Sequence, residues 1–215
     1  MVLLISPSFV AVSLAALLAA PVAQGLQTSK PDANAVARAA MLRAPGIETP
    51  FNQADVDFMQ GMIPHHAQAV KMASWAPTRG SNKRLLNLCE RIVVGQSQEI
   101  KMMRLWLADR GQEVPAADAM RHKMKMGDMV HEMLMPGMLT DEEMTALEKA
   151  RGKDWDRLFL LGMIKHHQGA IDMVDVLFKS YGAAQGDDIY KFASDVYADQ
   201  TTEIEVMKQM LAEIK

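Results

Sequence analysis

Two pairs of adjacent histidines, His65-His66 and His166-His167, carry the chain's most distinctive chemistry. Met62 and Met163 stand three residues before the pairs, and Met72 and Met173 stand seven residues after the first histidine of each. Thioether sulfur and imidazole nitrogen together select soft, late metals, above all Cu(I) or Ag(I), which accept few ligands and tolerate methionine. Met62, His65, His66, Met72, Met163, His166, His167 and Met173 are therefore the candidate metal ligands. The competing reading of the same residues is an interior histidine–carboxylate network in a methionine-filled core.

These residues sit in an internal repeat. Asp55, Phe58, Gly61, Met62, Ile63, His65, His66, Ala69 and Met72 recur as Asp156, Phe159, Gly162, Met163, Ile164, His166, His167, Ala170 and Met173, at a constant offset of 101. A second match, Gln96, Glu99, Ile100 and Met103 against Gln200, Glu203, Ile204 and Met207, has an offset of 104. A helix pair has thus been duplicated, with three residues' difference in its turn.

Apolar spacing is helical almost throughout beyond Asn52, and it places main helices at about 53–76, 82–110, 154–180 and 187–214. A further helical region over 117–152 divides at Pro136-Gly137. Asn52, Ser81 and the capping box Thr140-Asp141-Glu142-Glu143 mark helix starts. Two helical hairpins that bury each other's apolar faces make an all-α, ferritin-like four-helix bundle over residues 52–214. The Met/His-rich connection at 115–152 then forms a helical crossover.

On the helix wheel, Asp55, Met62 and His66 share the apolar stripe of the first helix, as their counterparts do in the repeat. Gln96 and Glu99, with Gln200 and Glu203, fall on the apolar stripes of the second and fourth helices. Buried polar groups are costly unless satisfied, so these carboxylates and amides are candidate outer partners that orient the histidine rings. Asp55 and His66 lie about 16 Å apart along one helix. If the repeated helices run antiparallel, Asp55 approaches His167 and Asp156 approaches His66.

Methionine is the compositional outlier, with 19 in 215 residues, and eight of them fall between 120 and 144. As a helix, this segment would present two opposite rows, one of Met120, Met124, His131 and Met135 and one of His122, Met126, Met129 and Met133. A surface helix buries a single stripe, so the second row points to an auxiliary soft-metal site or a partner-binding surface.

The 23 basic and 26 acidic residues leave no electrostatic footprint for nucleic acid. A lone cysteine, Cys89, excludes a disulfide framework, a cysteine-type zinc site and a CxxC motif, and its apolar row makes it a core residue. No charge precedes Lys30, Val2–Ala20 is largely apolar, and a small-residue step follows at Ala23-Gln24-Gly25. Residues 1–25 therefore read as a cleaved export signal and 26–51 as a flexible leader, which puts the mature protein in the periplasm or outside the cell with no stable membrane span. An uncleaved anchor is the alternative.

The strings GMIPHHAQAVKMA and GMIKHHQGAIDMV, with MPGMLTDEEMTALEKARGKDWDRLFL leading into the second, resemble the bacterial family labelled "domain of unknown function 305". The resemblance implies a ferritin-like bundle, usually exported. Some members, of the CopM type, are periplasmic copper-binding proteins linked to copper resistance. That role would carry over onto Met62, His65, His66, Met72, Met163, His166, His167 and Met173. Pro64 and Lys165 occupy a variable position and add no ligand.

The expected function is an exported, non-catalytic copper binder, Cu(I) above Ag(I) or Cu(II), for buffering, resistance or handover to a copper-trafficking partner. One alternative is a Met-rich interaction module without metal. Another is a divalent-metal enzyme using histidine and carboxylate, although neither half contains the Glu-x-x-His pair of dinuclear bundle sites.

Overall fold

The structure is a computed structural model that describes residues 50–126 and 129–214. The expected export signal and nearly all of the expected leader lie outside the described residues. The chain forms α1 (Gln53–Ser74), the one-turn α2 (Ala76–Arg79), α3 (Lys83–Asp109), β1 (His122–Met126), β2 (Met129–Met133), α4 (Asp141–Lys149), α5 (Gly152–Lys179) and α6 (Asp187–Glu213). The four long helices make the expected all-α bundle: α1 packs on α3, α5 on α6, and α1 on α5. Among the described residues no helix is long and apolar enough to cross a membrane.

Helix starts follow local chemistry. The Asn52 side chain accepts from the Asp55 amide and Asp55 returns a bond to the Asn52 amide, while Thr140 and Glu143 close the same box on α4. The cap of α3 is Asn82 rather than Ser81, because the Asn82 side chain accepts from the amides of Arg84 and Leu85.

The core comes in two apolar clusters. One joins Met62, Met103, Trp106, Met173, Val174, Ile189 and Val196, and the other joins Met72, Leu85, Ile92, Phe159, Met163 and Met207. The first gathers the start of α1 with the end of α5, and the second the reverse, so the repeated helices run antiparallel. On all four helices the polar residues fall between the clusters: His65 and His66, Gln96 and Glu99, His166 and His167, Gln200 and Glu203.

The connection corrects the expectation of a helical crossover. His122–Met126 and Met129–Met133 pair as a two-stranded antiparallel ribbon, and among the described residues of the connection helix is confined to α4. The register pairs His122 with Met133, Met124 with His131 and Met126 with Met129. Directly opposed residues share a face of a ribbon, and alternate residues along a strand do likewise. Six of the eight residues of the two helical rows, at positions 122, 124, 126, 129, 131 and 133, therefore fall on one face. Lys123 and Glu132 pair on the other face, Nζ to Oε1 at 3.5 Å.

Candidate metal centre

Four histidines meet in the polar layer at mid-bundle, each with no exposed surface. The rings of His65 and His166 stack across the two repeats, with centroids 3.8 Å apart and planes inclined by 42°. His66 and His167 flank the stack, each 6.3 Å from its neighbour in sequence. This placement follows from the helix: adjacent residues diverge by about 100°, so one histidine of each pair faces the other repeat and the next turns toward its own hairpin partner.

That partner is a glutamate. His66 Nε2 lies 2.8 Å from Glu99 Oε2, and His167 Nε2 lies 2.7 Å from Glu203 Oε2. A carboxylate accepts, so the nitrogen facing it carries the proton, and Nδ1 of the neutral ring holds a lone pair. His65 is held differently, its Nε2 donating to the Pro136 carbonyl at 3.0 Å. A carbonyl can only accept, so in the neutral ring Nδ1 is again the free lone pair. Burial, reinforced by repulsion from His66, lowers the pKa of His65 to about 3. Burial and repulsion from His65 push His166 the same way. The stacked pair is neutral at ordinary pH.

The Nδ1 atoms of His65, His66 and His167 and both ring nitrogens of His166 are buried without a hydrogen-bond partner. Each ring of the stack lies near the backbone of the other's histidine without reaching hydrogen-bond geometry. Gln96 and Gln200 add buried, unpartnered Oε1 atoms. Leaving a buried polar atom unsatisfied costs about 1–3 kcal/mol, so this concentration of lone pairs fits a layer built to take a cation.

The thioethers flank the layer in crossed pairs. Met62 and Met173 belong to one apolar cluster, and Met72 and Met163 to the other. Met173 Cε approaches Gly61, and Met72 Cε approaches the equivalent Gly162, lying 3.4 and 3.5 Å from where a Cβ would stand. The repeated glycine thus makes room for a methionine of the opposite repeat. Met135 also crowds Gly61, where Leu139 occupies the corresponding place against Gly162.

Asp55 and Asp156 correct the expected aspartate–histidine pairing. Asp55 accepts from the Ala184 amide at 2.7 Å, in the turn between α5 and α6. Asp156 accepts from the amide and hydroxyl of Ser81 at 3.0 and 2.6 Å, before α3. The helices are antiparallel as supposed, but their pseudo-two-fold axis passes by the His65–His166 stack. Each aspartate therefore meets the far turn of the other hairpin instead of its histidine.

Three supports escape sequence reasoning: the Pro136 carbonyl on His65, a clamp by Gln68, and the Gly137–Gly169 approach. Gln68 donates to the Leu139 carbonyl at 2.9 Å and accepts from its amide at 2.7 Å. Gly169, its repeat equivalent, lies against Pro136 and Gly137 so closely that a Cβ would collide with the Pro136 carbonyl. Among the described residues no three His, Cys, Asp or Glu side chains group as cation ligands.

Comparisons with known proteins concern the same part of the chain. The model of the family described as Domain of unknown function (DUF305) matches residues 55–211. A DUF305 protein of Streptomyces coelicolor, named as secreted, is similar with a TM-score of 0.62 and 29% identity, over 74% of this chain and 93% of that one. CopM in its Cu(I)-bound form is similar with a TM-score of 0.55 and 28% identity, over 74% of this chain and 96% of that one. CopM is also known in Cu(II)-bound and Ag-bound forms, at 30% and 29% identity over the same shares, with TM-scores of 0.57 and 0.55. The uncharacterized protein L153 of Acanthamoeba polyphaga mimivirus is 36% identical over 56 residues, which span 26% of this chain and 37% of that protein. The family match takes in both histidine repeats and the linker between them, and this chain belongs to the family described as Domain of unknown function (DUF305).

Proposed function

We propose that this protein is an exported, non-catalytic copper binder that takes Cu(I), and through the same donors Ag(I) or Cu(II), in its mid-bundle layer. The observation that carries the reading is His166, buried with both ring nitrogens unpartnered and stacked on His65, whose Nδ1 is likewise free. His65, His66, His166 and His167 would supply nitrogen, and Met62, Met72, Met163 and Met173 sulfur. Glu99 and Glu203 hold the flanking rings in one tautomer, which raises ligand basicity. The mixture of imidazole and thioether matches soft-ion preference. Copper- and silver-bound CopM supports metal binding by this fold, and the secreted relative supports export, as does the apolar stretch Val2–Ala20. Buffering, resistance or handover to a copper-trafficking protein are the roles that such a site serves.

The test is anaerobic titration of the mature protein with Cu(I) in competition with a colorimetric chelator. At least one equivalent should be withdrawn from the chelator, and substituting all four histidines by asparagine should abolish that equivalent. Failure of the unaltered protein to compete would refute the reading.

A further inference from the structure

We propose that the β1–β2 ribbon carries a second soft-metal site, separate from the mid-bundle layer, in which His122, His131 and Met133 bind Cu(I) or Ag(I). The register supplies the argument. His122 and Met133 are directly opposed, and His131 lies two residues back from Met133 on the same face. Opposed Cβ atoms on a ribbon are about 5 Å apart and diagonal ones about 7–8 Å, a span that two imidazoles and a thioether close around one ion. The face continues outward through position 124 opposite His131, and position 126 opposite Met129. Every position on it is therefore His or Met, while the intervening positions 123, 125, 130 and 132 are Lys, Lys, Val and Glu. A strand alternating soft donors with charge separates a binding face from a solvated one.

Packing does not account for the β2 side of that face. Met129 is 64% exposed and Met133 43%, so their side chains bury little apolar surface. Among the ribbon side chains described, only His122 is buried. It lies against α1, with the Gln60 backbone and Asp57 nearby. Pro64 explains this placement. Proline has no N–H, so the carbonyl four residues earlier, that of Gln60, loses its helical donor. A ring N–H given to that carbonyl would leave the other nitrogen of His122 with a free lone pair. The second repeat has Lys165 at the equivalent position, retains its helical N–H, and receives no ribbon.

The test uses the full mature chain and a triple variant at exposed positions, Met129→Ile, His131→Thr and Met133→Ile. Wild type and variant are titrated with Ag(I) and, anaerobically, with Cu(I), while methyl-labelled methionines are followed by NMR. The variant should keep its far-UV dichroism and melting temperature and lose one equivalent of metal. In wild type the Met133 methyl should shift on addition of Ag(I). A His65→Asn/His166→Asn variant should retain the ribbon equivalent, so loss of mid-bundle binding and loss of ribbon binding are scored independently. Unchanged stoichiometry in the triple variant, or an unshifted Met133 methyl in the wild type, would overturn the proposal and leave the exposed methionines to a protein partner.

Discussion

The two repeats place the same residues on the same helix faces, yet the linker treats them differently. On the first, the Pro136 carbonyl takes the proton of His65, and Gln68 clamps Leu139 from both sides. On the second, His166 has no hydrogen-bond partner, and Gly169 stands where Gln68 would be expected, letting the linker backbone lie against the helix. Farther out, His66–Glu99 and His167–Glu203 are nearly superposable in kind and distance. Symmetry survives where each repeat interacts within its own hairpin and fails where a single linker crosses two copies. A duplicated site can thus hold one ring in a fixed tautomer and leave its twin open.

Acid should act on both repeats together and most strongly. The folded His65 resists protonation down to about pH 3 and His166 is lowered likewise, whereas the unfolded chain takes those protons near pH 6.5. The unfolded state therefore binds more protons below that point. Stability should be flat on this account above about pH 6.5 and fall toward pH 3, by up to about 1.4 kcal/mol per pH unit for each ring. Denaturant melts across that range check it. Removing either ring by His65→Leu or His166→Leu should flatten the slope, and an unchanged slope would break the link between the buried pair and acid sensitivity.

The linker contact separates the repeats. Gly169→Ala gains helix propensity of about 1 kcal/mol but drives a methyl into the Pro136 carbonyl, so a net loss of about 3 kcal/mol is expected in chemical denaturation. Gln68→Ala should cost about 2 kcal/mol by leaving the Leu139 amide and carbonyl unpaired. For metal, Glu99→Gln and Glu203→Gln should each weaken Cu(I) affinity roughly 10–100-fold in chelator competition, and by similar factors. A marked inequality would show that the ion sits toward one hairpin. The smallest effect carries the sharpest sign. Without metal, His166→Leu should stabilise the fold by about 1 kcal/mol because it removes unsatisfied nitrogens. His65→Leu should destabilise it by a similar amount, since the Pro136 carbonyl loses its donor.

Much of this was legible in residue order. The offset of 101, the apolar stripes and the polar residues set into them announce a duplicated bundle with histidine and carboxylate inside, and Glu99 and Glu203 stand where their stripes point. What order alone does not carry is axial register between distant helices. Asp55 lies on the same stripe as His66, but which residue of α5 it faces depends on where the pseudo-two-fold axis falls. The ribbon escapes for another reason. Histidine and methionine count with either the apolar or the polar class, so residues 120–135 satisfy a helical wheel and an alternating strand equally well. The deciding signal is the strict alternation on both sides of Gly127-Asp128, a pair suited to a two-residue hairpin connection. The Pro136 carbonyl on His65 leaves no sequence signature, because any residue's backbone could provide it.

The aspartates that turned out not to serve the histidines have their own consequence. Each accepts hydrogen bonds from the interhelical turn of the opposite hairpin, so both turns take this carboxylate contact from the other hairpin. Half of the chain, with one aspartate and one turn, lacks the acceptor for its own turn and finds it in a second copy related by a two-fold axis. The contact that joins the two hairpins is therefore also one by which an unduplicated hairpin would pair as a symmetric dimer.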